Sequence, residues 1–142
     1  MRVLRNNDGV SAIEFAIISP VLITILLGIF QFGSAMNAYL VLTNAAAKGA
    51  LTMALGRGTA APYTTTISAI TAAAPNLTPA NITTTVTVNG TACSTDAGCT
   101  TSLVAGVSAV VRTTYPCNLT VMGINYAPNS CTLRAQTAQM VQ

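Results

Sequence analysis

The sequence predicts an α+β chain: one long N-terminal apolar helix, then a small, disulfide-stabilised, β-rich head. Three observations carry that prediction. No charged residue stands between Glu14 and Lys48. From about residue 59 onward the chain turns to Thr, Ala, Val and Asn, with runs that alternate every second residue as strands do. All four cysteines, Cys93, Cys99, Cys117 and Cys131, fall in that second part.

Composition narrows the function before any element is placed. The 142 residues are 51% hydrophobic, 5% aromatic and 6% charged, where a soluble globular chain usually carries about a quarter charged residues. An ordinary cytosolic enzyme is not built this way. There is no His and no Trp, and the three acids are Asp8, Glu14 and Asp96. The side chains that usually carry acid–base, metal or triad chemistry are therefore missing, and neither enzymatic activity nor a cofactor is expected. The pI near 8.9 reflects scarce acids rather than abundant bases, so nucleic-acid binding has no electrostatic footprint.

Residues 1–9 (MRVLRNNDG) are polar, basic and end in Gly, and they read as a leader. Residues 10–56 read as one long helix. Its densest stretch, residues 15–30 (FAIISPVLITILLGIF), lies in a charge-free region longer than the roughly 20 apolar residues a membrane span needs. A helix of this length reaches about 70 Å, so its second half must leave the bilayer. Arg2 and Arg5 precede the run and no base follows until Lys48, which places the N-terminus in the cytoplasm and the remainder outside. Pro20 removes one intrahelical hydrogen bond and is expected to kink or loosen the helix unless a packed neighbour restores it. Small residues recur four apart at Ala12 and Ala16, at Ser34 and Ala38, and at Ala46, Ala50 and Ala54. Such stripes allow close helix approach, although plain Ala-rich composition also produces them. Gly56-Arg57-Gly58 breaks the helix.

Residues 57–142 form the head. Residues 64–75 (TTTISAITAAAP) suit a short helix, capped by Thr and stopped before Pro75. Residues 81–88 alternate as a strand and run into Asn89-Gly90, a hairpin turn signal. Residues 102–115 and 132–141 read as further strands, giving a sheet of three or four. Tyr63, Tyr115 and Tyr126 are expected in its core, and Arg112 and Arg134 on solvated strand faces. Four cysteines allow three pairings. Cys93 with Cys99 and Cys117 with Cys131 are favoured, because each pair closes a short Gly- or Pro-containing loop in an oxidising compartment. With no His and no CxxC pair, a zinc site is disfavoured.

The junction at residues 9–15 carries the most chemistry. A carboxylate at the edge of a spanning helix needs a partner. Cleavage between Gly9 and Val10 would create an α-amine one helical turn from Glu14. That cation would pair with Glu14 of its own subunit or, in a staggered polymer, of a neighbour. A solvated Glu14 near the helix N-terminus, favoured there by the macrodipole, is the other reading, and composition alone does not choose between the two.

Residues 5–50 resemble the N-terminal module of TadE-like proteins, the pilin-related components of tight-adherence pilus systems. The resemblance rests on Gly9, on Ile13-Glu14-Phe15-Ala16, on Ser19-Pro20, on Gly28 and Phe32-Gly33, and on Asn44-Ala45-Ala46-Ala47-Lys48-Gly49-Ala50. It implies a minor pilin or pseudopilin, cut after Gly9 by a prepilin peptidase, with Glu14, Phe15 and Pro20 serving assembly. It further implies an inner-membrane location with the head in the periplasm, and partners comprising other pilin subunits, an assembly platform and membrane lipid. Its role would be pilus assembly and surface attachment or DNA uptake. Two alternatives remain open: a secreted Thr-rich surface protein cut after Ala35, and an uncleaved single-pass anchor with a binding head.

Overall fold

The computed structural model describes residues 7–117, 120–121, 124–125, 127 and 131–142. Its helices are α1 (Asn7–Ala54), α2 (Pro62–Ala73) and α3 (Asp96–Ser102), with a short 3-10 turn at Pro79–Asn81. The strands are β1 (Thr83–Val88), β2 (Thr91–Cys93), β3 (Ser108–Pro116), β4 (Thr120–Val121), β5 (Ile124–Asn125) and β6 (Thr132–Met140). A long apolar helix followed by a small antiparallel sheet is the α+β arrangement expected.

Within the described residues helix α1 already holds at Asn7, three positions before the start read from sequence. It runs unbroken through Pro20. One turn on, the Thr24 hydroxyl donates to the Pro20 carbonyl at 2.8 Å. Thr43 and Thr52 likewise bond back to the Tyr39 and Lys48 carbonyls, which satisfies hydroxyls inside an otherwise apolar helix.

The main sheet has the order β2-β1-β3-β6, antiparallel throughout, and β4 pairs with β5 in a separate two-stranded ribbon. Asn89 (φ 52°) and Gly90 (φ 78°) form the two-residue loop of the β1–β2 hairpin. Positive φ at both positions is what the tight primed turn requires. Period-two alternation then sorts the side chains. Val86, Val88, Ala109, Val111, Thr113 and Ala135 turn inward and are buried. Thr85, Arg112 and Gln136 lie side by side on the outer face. There the Arg112 Nε and Nη2 donate to Gln136 Oε1 at 3.0 and 2.7 Å.

The inner face packs on the last third of α1, and α2 packs on α1 as well. Leu42, Ala45, Ala46, Ala50 and Met53 are fully buried there. The head's core therefore reaches back across the boundary placed near residue 56 and includes the helix. Gly49 is the closest approach: a Cβ at this position would stand 2.5 Å from Ile70 Cγ1 and 3.4 Å from Val111 Cγ1. The Ala46, Ala50 and Ala54 stripe, left open between packing and composition, is a packing surface for the head.

Three local readings change. Residues 102–107 are not strand: Ser102 closes α3 and β3 starts at Ser108, after Gly106 at φ 83°. Helix α3 sits in what the sequence offered only as a disulfide loop, started by Thr95, whose hydroxyl accepts the Gly98 N–H at 3.2 Å. Helix α2 has Pro62 in its first turn and no side-chain cap from its N-cap residue Ala61; its cap comes from elsewhere in the chain. Tyr63 and Tyr115 are partly buried against the core as expected, whereas Tyr126 lies outside the described residues.

Candidate functional site

The expected assembly surface is the first two-thirds of α1, and the structure leaves it bare from residue 11 to about residue 37. Phe15 is 70% exposed and Phe30 72%, and Ile17, Ile18, Leu22, Ile25, Leu26, Ile29 and Phe32 are exposed with them. A water-facing helix ordinarily has a polar side. Here residues 15–30 are apolar around the whole circumference, so every face calls for lipid or another apolar helix. By length and composition α1 is a candidate membrane span.

The individual residues divide between two settings. Gly9 and Val10 lie within the first turns of α1. Glu14 and Pro20 are exposed, so among the described residues no packed neighbour restores the hydrogen bond that Pro20 removes. Glu14 is the single charge between residues 11 and 47. The backbone geometry sets it one turn from Val10, on the same face. Gly28 and Gly33 have open space around them. The cluster at residues 44–50 behaves differently, because Ala45, Ala46, Gly49 and Ala50 are buried under the head while Asn44 and Lys48 face out. One helix thus carries a bare apolar half and a half built into a folded domain.

The four cysteines pair as favoured, Cys93 with Cys99 and Cys117 with Cys131, with Cα–Cα separations of 5.2 and 5.4 Å. The first bond ties β2 to α3 and is buried in the core. The second joins the end of β3 to the start of β6, and there the Cys117 N–H donates to the Cys131 carbonyl at 3.1 Å, extending the ladder by one bond.

Two features had no clear signal in the sequence. Asp96, the one acid of the head, accepts from the Thr64 N–H at 2.9 Å and from the Thr64 hydroxyl at 2.6 Å. The Thr64 hydroxyl, then its amide, holds the Asp96 carboxyl below its ordinary range. This is the missing cap of α2, supplied from 32 residues away. The second feature is a cleft of about 540 Å³ between α1 and the head, lined by Ser34, Asn37, Asn76, Leu77, Asn81 and Tyr115 among others. Its residues come from four separate stretches, the last of them at Leu133, and no spacing rule links them.

No curated protein and no solved structure matches the chain. Residues 9–51, from the Gly before the apolar stretch to the turns buried under the head, match the family model described as TadE-like protein, and it is to that family that the N-terminal part of this chain is similar.

Proposed function

We propose that this chain is a structural subunit of a tight-adherence pilus system, a minor pilin or pseudopilin. A prepilin peptidase cuts it between Gly9 and Val10. The mature protein then waits in the inner membrane with its head in the periplasm, until an assembly platform recruits it among other pilin subunits. Its output is pilus assembly and surface attachment, and it carries out no catalysis of its own.

The observation that carries this reading is the division of α1. Residues 15–30 present apolar side chains on all sides, whereas the turns from Leu42 to Ala54 are the floor of the head. A subunit that exchanges lipid for a bundle of sister helices needs such a free half, together with a head that stays folded during transfer. Swapping acyl chains for equally apolar helices supplies little hydrophobic drive. Register then falls to shape and to the few polar groups present, chiefly Glu14 and the new amine of Val10. The TadE-like match spans both halves of α1 and continues past Ala35, which favours a retained helix over one removed by secretion.

Mass spectrometry of the protein extracted from its native membrane tests this. A terminus at Val10 is expected. A terminus at Met36 would instead mean a secreted head, and an intact Met1 would mean an uncleaved anchor.

A further inference from the structure

The cleft between α1 and the head has a chemistry of its own. Ser34 and Asn37 of α1 and Asn76 and Asn81 of the α2–β1 connection line it together, with buried Leu77 and half-buried Tyr115 among the other, mostly apolar, lining residues. Three carboxamides and two hydroxyls offer both donors and acceptors, and among the described residues no charged side chain lines the space. Such a lining suits a neutral, hydroxyl-rich ligand and gives a phosphate or carboxylate nothing to pair with. The volume lies within the range of small-ligand sites, roughly 300–1,000 Å³.

Its position along α1 says where that ligand is found. Ser34 lies about 30 Å up the helix from Glu14, one hydrocarbon thickness. With Glu14 at one membrane boundary, the cleft opens at the other, among the headgroups. Tyr115, an aromatic ring with a polar tip, is a residue type favoured at that depth.

We propose that the cleft seats the uncharged polyol headgroup of a lipid, a sugar or glycerol moiety, in the leaflet on the head's side of the membrane. This rests on the reading of α1 as a membrane span. The bound headgroup would fix the height and tilt of the head above the bilayer, because it is held by α1 and by the head at once.

The test uses the full chain in vesicles of phosphatidylcholine mixed with an equal part of digalactosyldiacylglycerol, with native mass spectrometry of the lipid that stays bound after extraction. The wild type is expected to retain the galactolipid over phosphatidylcholine by about tenfold, the effect of roughly two net hydrogen bonds. The double variant Asn76→Ala/Asn81→Ala, changed at exposed loop positions, is expected to lose that preference while both disulfides and the circular dichroism stay unchanged. Equal retention of both lipids by the wild type, or an undiminished preference in the variant, overturns the proposal. Displacement by free methyl galactoside at concentrations matching the lipid makes the ligand a soluble sugar and overturns the headgroup assignment. Cross-links between two copies through Asn76 would make the cleft a subunit contact and overturn it too. Vesicle flotation separates the two readings. Protein that fails to float defeats the span and this proposal together, whereas protein that floats without lipid preference defeats this proposal alone.

Discussion

The Asp96 carboxylate caps a helix it does not belong to: Oδ1 accepts the Thr64 N–H at 2.9 Å and Oδ2 the Thr64 hydroxyl at 2.6 Å. The contact joins the first turns of α2 and α3. Because α3 is bonded to β2 through Cys93 and Cys99, it also ties α2 to the far edge of the sheet.

That cap makes the head acid-sensitive in a defined direction. The Asp96 pKa is lowered in the folded state by the Thr64 hydroxyl and amide. Its stabilisation is therefore fully present above the unfolded value, near 3.9 for an aspartate, and is lost as pH falls through the lower folded value. Thermal melts between about pH 2 and 5 should show the wild type losing stability over that interval. Asp96→Asn should be less stable at neutral pH and nearly flat through the acid range. An unchanged acid slope in Asp96→Asn would remove the cap from the account.

Gly49 lies where α1, α2 and the sheet meet. Substituting Ala in a helix interior ordinarily gains about 1 kcal/mol over Gly. At Gly49 the added carbon would stand 2.5 and 2.7 Å from Ile70 Cγ1 and Cδ1, and overpacking of this kind costs about 1–3 kcal/mol. Gly49→Ala should therefore lower the denaturation midpoint of the head, against its propensity. Gly33→Ala, with nothing within 4 Å, should leave head stability unchanged. Coupling between Gly49→Ala and Ile70→Val in a double-mutant cycle would locate the clash.

Thr66 and Thr113 are fully buried, and among the described residues their hydroxyls have no hydrogen-bond partner. Valine keeps the shape and removes the orphaned group, whose burial costs about 1–3 kcal/mol. Thr66→Val and Thr113→Val should each raise the melting temperature of the head, and by similar amounts. A fall in either case would mean that an ordered water satisfies that hydroxyl.

Much of the fold was legible because its signals are local. The charge-free stretch gave α1, Asn89-Gly90 gave the hairpin, and the short loops between cysteines gave both bonds. What escaped depends on contacts between distant residues. Helix α3 is seven residues long and contains Gly98, too short for a period to show, although Thr95-Asp96 is a start signal in retrospect. The cap of α2 was assigned to Thr because a remote carboxylate leaves no mark near residue 62. The burial of Ala45, Ala46 and Ala50 was ambiguous because alanine is at once a good helix former and a good packing residue. The bare half of α1 was readable from hydropathy, but where it ends is set by the head, between Ala38 and Leu42.

Glu14 is the one charged residue between residues 11 and 47, and its replacement isolates pairing from insertion. Gln keeps the size and much of the polarity but cannot attract the amine of Val10. Glu14→Gln should reach the membrane at the normal level and enter filaments at least tenfold less, since removing one member of a desolvated ion pair costs about 3–5 kcal/mol. Quantifying the variant in sheared filaments against the membrane pool measures this. Normal incorporation would leave register to packing alone.

The position of the core predicts where the chain can be cut. A fragment of residues 36–142 keeps Leu42, Ala45, Ala46, Ala50 and Met53, all 0% exposed, and sheds most of the exposed apolar side chains. It should be soluble, form both disulfides under oxidising conditions and melt cooperatively. A fragment of residues 57–142, cut where composition changes, lacks all five. Loss of buried Leu or Met side chains costs about 2–5 kcal/mol each, against total stabilities of roughly 5–15 kcal/mol for a domain. That fragment should stay unfolded or aggregate, and adding a peptide of residues 36–56 should restore the sheet signal in circular dichroism. If residues 57–142 melt cooperatively alone, α1 is a tether to a self-sufficient head. If they do not, the helix that carries the candidate membrane span also forms the floor of the head, and any force applied along it passes directly into the core.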